Sequence, residues 1–121
     1  MFESSFGPES EARRHPRYPV RRLASYSYEG KRFLTVTINL GLGGMMVDLS
    51  HYLPENEQMD IQLVLGRNSI WPKVRRVHCR LRSERSYISG FQFIEISEQD
   101  QTLLKEYLAN VEDSPSPLES S

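Results

Sequence analysis

Cysteine is nearly absent: Cys79 stands alone among 121 residues, which excludes an internal disulfide and the paired Cys-x-x-Cys spacing of a structural zinc site. The three histidines are scattered, so no metal site and no metal cofactor is expected. No run of about 18 apolar residues occurs, which leaves no candidate membrane span. Met1 to Glu11 also lacks the basic start and apolar stretch of a secretory leader. Net charge is close to zero, at -1, which argues against a general nucleic-acid binder. These absences together describe a soluble protein suited to a reducing cytoplasm.

What is present is unevenly placed. Arg13, Arg14, Arg17, Arg21 and Arg22 crowd one short segment, and acids in both tails offset them in the sum. Residues 1–12 and 112–121 are rich in Ser, Pro, Gly and acids and read as flexible tails. Residues 13–111 then form one domain, as a chain of 38% apolar composition can bury one modest core. Inside it, period-two alternation dominates. Val20, Leu23, Tyr26 and Tyr28 lie in a first β-prone stretch, with Pro19 at its entrance, and Glu29-Gly30-Lys31 marks a hairpin turn. Leu34, Val36, Ile38 and Leu40 then alternate with Thr35, Thr37 and Asn39, the signature of a half-buried strand. Met45 to Leu49, Met59 to Leu65, Val77 to Leu81 and Tyr87 to Ile96 supply four more strands. The odd spacing from Val74 to Val77 predicts a bulge in the fifth. Ser97-Glu98-Gln99-Asp100 resembles a capping box, followed by Leu103, Leu104, Tyr107, Leu108 and Val111 at helical spacing. Six short strands and a terminal amphipathic helix predict a small antiparallel barrel or sandwich.

Two motifs carry the functional reading. Pro16 biases His15 away from the helical region, so Arg13-x-x-x-Arg17 is an extended or turned segment whose planar guanidinium groups match phosphate oxygens or a guanine edge. Asn39-Leu40-Gly41-Leu42-Gly43-Gly44 places glycines between two strands, where they permit positive φ and close approach to the backbone, and Asn39 can both donate to and accept from a base edge. Together they suggest a site for an anionic, planar ligand.

In this order, around the first two strands of a small β domain, the motifs resemble those of the PilZ family, bacterial receptors for cyclic di-GMP (c-di-GMP). Its signature is Arg-x-x-x-Arg ahead of the barrel and Asp/Asn-x-Ser-x-x-Gly after the second strand. Arg13 and Arg17 match the first element; Asn39 and Gly44 match the outer positions of the second. Gly43-Gly44, Val77-His78-Cys79-Arg80 and Gly90-Phe91-Gln92-Phe93 extend the likeness. Gly41 replaces the family's serine and removes a hydroxyl partner.

The resemblance implies an all-β dominated fold, a six-stranded antiparallel Greek-key-like barrel with one C-terminal helix. It implies c-di-GMP as ligand, held by Arg13, Arg14, Arg17, Asn39, Gly41 and Gly44, with His78 as a further candidate that stacks on a base. It also implies an arginine strap that is mobile when free, orders on binding, and signals through an unidentified downstream protein. Two other readings compete: a PilZ-like adaptor that acts without nucleotide, and a small barrel binding nucleic acid through Arg75, Arg76, Arg80, Arg82 and Arg85. Trp71 is expected in the core and Cys79 as a buried, inert thiol. Asp48, Ser50 and His51 are too close along one strand to converge as a triad, and no catalytic residue is expected.

Overall fold

A computed structural model of the chain describes residues 16–113. The element order is β1 (Arg17–Tyr18), β2 (Leu23–Tyr28), β3 (Lys31–Gly41), β4 (Gly44–Leu49), β5 (Gln58–Leu65), β6 (Asn68–Ile70), β7 (Lys73–Ser83), β8 (Ser86–Glu95) and α1 (Glu98–Asp113). The tails expected over residues 1–12 and 112–121 lie outside the described residues, apart from the last turn of α1.

Six antiparallel strands close into a barrel in the order β3-β2-β5-β7-β8-β4, with β4 returning to β3. Closure leaves these six without a free edge, as the alternating pattern predicts. Residues 50–57 carry the chain from β4 to β5, strands that do not pair, which is the Greek-key step. β1 and β6 are short additions on β3 and β5, of two and three residues, too short for alternation to disclose. The turn between β2 and β3 is Glu29-Gly30, with φ of 52 and 80 degrees, a two-residue hairpin geometry in which glycine relieves strain at the second position. Ser97 caps α1 by accepting a bond from Asp100 N at 3.0 Å. Leu104 and Leu108 of that helix join the core cluster with Leu40, Met45, Val47, Ile61 and Phe91. Each such burial contributes roughly 1.5–3 kcal/mol, so the helix is held mainly by its apolar face.

β3 departs from the expected phase. Thr35 and Thr37 point inward, while Leu34 is 69% and Val36 39% exposed. Both hydroxyls are satisfied: Thr37 Oγ1 donates to Val20 O and accepts from Arg22 N, and Thr35 Oγ1 donates to Asp48 O at 2.6 Å. A bulge between Thr37 and Asn39 then restores the expected phase, sending Leu40 into the core and Asn39 outward. β7 carries the expected irregularity, with register shifts at Lys73/Val74, Arg76/His78 and Leu81/Ser83. β7 runs on along β8 beyond its pairing with β5, so Leu81 is 63% exposed and Cys79 is only partly covered, not the buried thiol expected. Trp71 likewise lies outside the core, 58% exposed.

Candidate functional site

Arg13 and Arg14 lie outside the described residues. Arg17 is in β1, whose two residues pair with Gly41 and Leu40 of β3. Within the strap expected from Arg13 to Arg22, Arg17 and Tyr18 are thus paired to β3. Arg17 Nη1 donates to Asn39 Oδ1 at 3.3 Å, the first contact between the two sequence motifs. Among the described residues its partner is thus a neutral amide. Burial holds the Arg17 guanidinium below its usual pKa, because desolvation disfavours the charged form. A cation partly stripped of water and bonded to a neutral amide gains from an arriving anion.

The glycines contribute space. None of Gly41, Gly43 and Gly44 has positive φ, contrary to the expected turn geometry; the positive-φ glycines among the described residues are Gly30 and Gly66. A Cβ at Gly44 would collide with the Phe91 carbonyl oxygen and stand 3.2 Å from Arg17 Nη2, so the guanidinium lies directly over that backbone. A Cβ at Gly41 would meet Pro16 O at 2.6 Å and Arg17 Cγ at 3.4 Å. The residue that replaces serine in the motif makes room for the chain entering β1.

Strand register extends this patch. Asn39 pairs with Met46, Met46 with Gly90 and Gly90 with His78, giving one row across β3, β4, β8 and β7. Gly44 pairs with Gln92 and Gln92 with Arg75, giving a second row two residues along β4 and β8, and three along β7 where the Arg76/His78 register shift intervenes, on the same outer face. His78 is exposed and leans over Gly90, where an added Cβ would lie 3.2 Å from the histidine Cβ. Arg75 Nη2 donates to Gln92 Oε1, while its buried Nε has no partner among the described residues. Sequence reading did not assign Arg75, Gln92 or Gly90 to the site, because their neighbours become visible only once cross-strand register is known. The result is a shallow platform in which Met46 and Gln92 stand beside the side-chain-free positions Gly44 and Gly90, with Arg17, Asn39, His78 and Arg75 around them.

The other motifs disperse. Of the arginines proposed for nucleic acid, Arg76 is buried at 5% exposure with Nε on Pro54 O, and Arg82 is paired with Asp48. They do not form one open basic face. Asp48 also accepts from Ser86 Oγ, whereas the His51 ring bonds the Tyr26 hydroxyl at 2.7 Å, so Asp48 and His51 serve different neighbours. Burial pushes that Tyr26 hydroxyl up to about 12. Among the described residues there is no group of side chains that could hold a metal ion, and no helix is long and apolar enough to cross a membrane.

Comparison with solved structures identifies the fold. The Bacillus subtilis inhibitor of motility MotI/DgrA superposes with a TM-score of 0.72 at 16% identity, covering 81% of this chain and 50% of that one. Escherichia coli YcgR in complex with c-di-GMP gives 0.71 at 17% identity, covering 82% of this chain and 45% of that one. The PilZ domain of YcgR with c-di-GMP gives 0.68 at 14% identity, covering 82% of this chain and 90% of that domain. This chain thus spans about half the length of the first two proteins and most of the isolated domain. No curated protein matches in sequence. The PilZ domain profile matches residues 11–110, which takes in nearly all of the barrel, helix and platform described above, and the chain belongs to the PilZ domain family.

Proposed function

We propose that this protein is a c-di-GMP receptor that binds the dinucleotide on the outer platform of β3, β4, β7 and β8. One observation carries the reading: Arg17, partly desolvated and, among the described residues, bonded to the Asn39 amide, lies over the backbone of Gly44. A phosphate or guanine edge supplies the acceptors that a guanidinium prefers, and the glycine backbone lets the base ring approach. Asn39 reads a base edge, Gly41 lets β1 seat so that Arg17 reaches the ligand, Gly44 offers its backbone, and His78 stacks across Gly90. Arg13 and Arg14, immediately upstream, add further cationic forks when they fold over the ligand. The reading includes ordering of the Arg13 to Arg22 strap on ligand binding, with the paired β1 as its anchor.

The response has a route into the rest of the domain. Arg17 and Tyr18 are consecutive on β1 and turn to opposite faces; Tyr18 lines a small groove with Leu42, Lys105 and Leu108 of α1. A ligand that tightens Arg17 thereby changes how Tyr18 seats on the helix, and a partner protein in the cytoplasm reads that surface. A ligand shifts the equilibrium only by its differential contacts with the two states, and the residues before Arg17 provide them.

Calorimetric titration of the full chain with c-di-GMP tests the reading, with GMP as competitor. Saturable binding is expected, weakened roughly tenfold to a hundredfold by Arg17→Ala, the loss of one charge-assisted bond of about 1.5–3 kcal/mol. Absence of heat from folded protein would contradict it and leave the nucleotide-independent adaptor.

A further inference from the structure

Trp71 is the chain's one tryptophan, and its exposure is not that of a loose loop. Trp71 N donates to Asp100 Oδ2 at 2.9 Å, and the carbonyl of the next residue, Pro72, accepts from Ile61 N at 3.0 Å. Asp100 is itself fixed in the first turn of α1 through Ser97. The backbone is pinned on both sides while the indole stands in solvent. A large ring presented from fixed backbone loses little conformational freedom when a partner covers it, which is why tryptophan so often anchors protein interfaces.

Two clefts open beside the ring, of about 340 and 390 Å³. The first lies between Trp71 and the start of α1 and is walled by Asp60, Lys73, Glu95 and Asp100. The second crosses the outer face of β2 and β5 past Ser25 and Gln62, with Arg32 at its side hydrogen-bonded to both. In the first cleft Lys73 is in register with both Asp60 and Glu95, so one ammonium sits among three carboxylates and the rim is net negative. The groove therefore joins an exposed aromatic face to an anionic rim.

We infer that this groove docks a partner protein segment bearing arginine or lysine side chains. The cation rests on the indole face, where the ring quadrupole attracts it, and the carboxylates meet its donors. An acidic segment is repelled by the same rim, and a purely aliphatic one leaves the carboxylates without compensation. Lys73 and Glu95 bring the groove to the ends of β7 and β8, but none of its lining residues belongs to the two rows through Gly44 and Gly90, so its occupation leaves those rows uncovered. The inference does not depend on nucleotide binding.

The test is selection of a displayed random dodecapeptide library on the immobilised full chain, with selected peptides then titrated against Trp71 fluorescence, a site-specific signal in a single-tryptophan protein. Enrichment of Arg and Lys over the unselected library is expected, with a shift in Trp71 emission on binding. Trp71→Ala, read by calorimetric titration because the variant lacks the fluorophore, should weaken binding at least about tenfold. Asp60→Asn with Glu95→Gln, which keeps side-chain shape, should weaken it severalfold, while Arg17→Ala should leave it unchanged. Circular dichroism checks that the variants fold, which the exposure of these side chains favours. No selected peptides, peptides without cationic enrichment, or binding indifferent to Trp71→Ala or to loss of the carboxylates would overturn the inference.

Discussion

The walls of the barrel differ most between β4 with β8 and β2 with β5. On the first, Gly44 and Gly90 carry no side chain, their neighbours Met46 and Gln92 are half-buried, and Arg17 lies across Gly44. On the second side, bulky side chains stand outward: Leu23 at 47% exposure and Trp71 at 58%, with Leu34 at 69% on the adjoining β3. One surface admits a small planar molecule close to the main chain. The other presents relief that a small ligand cannot cover, which suits a macromolecule. The difference teaches that polarity alone does not mark function on a barrel; what matters is how much side chain each strand places outside.

The contrast can be broken most directly at Gly44. Adding one methyl in Gly44→Ala drives a carbon into the Phe91 carbonyl, and backbone must move. A loss of roughly 3 kcal/mol is expected in urea unfolding, together with loss of ligand binding. Thr37→Val comes next. It leaves Val20 O and Arg22 N without their hydroxyl partner in a site of 0% exposure, which should cost about 2 kcal/mol while keeping volume constant.

Gly41→Ser sharpens the comparison differently. A serine Cβ would contact Pro16 O at 2.6 Å, so β1 should lift from β3 and hydrogen exchange across residues 17–18 should quicken severalfold. Restoring the family's hydroxyl is therefore expected not to tighten c-di-GMP binding in this chain. The smallest effect belongs to the opposite kind of surface: Leu34→Ser removes far more carbon than Gly44→Ala adds, yet should change stability by less than about 0.5 kcal/mol because the side chain is exposed.

Much of the fold was legible beforehand, for local reasons. The Glu29-Gly30 turn, the Ser97 cap and the helical spacing of Leu104 and Leu108 each express local geometry, and the structure carries them as expected. The inward face of β3 was not legible. Alternation separates two sets of residues without saying which is inside, and Thr35 and Thr37 are tolerated there only because Asp48 O and Val20 O, distant in sequence, accept their protons. The site divides in the same way. Arg17 and Asn39 stood out as motifs and do meet, but Arg75, Gln92 and Gly90 enter through register across bulged strands. Gly41 was visible as a missing hydroxyl, and its second meaning, space for Pro16, required the position of β1.

The most direct measurement of the proposed receptor is amide NMR of the labelled full chain during titration with c-di-GMP. Binding on the glycine platform predicts saturable shifts concentrated at Asn39 to Met46, Gly90 to Gln92 and Arg75, with the Trp71 indole signal unmoved. Absence of shifts at saturating ligand, or shifts confined to β2, β5 and Trp71, would contradict it.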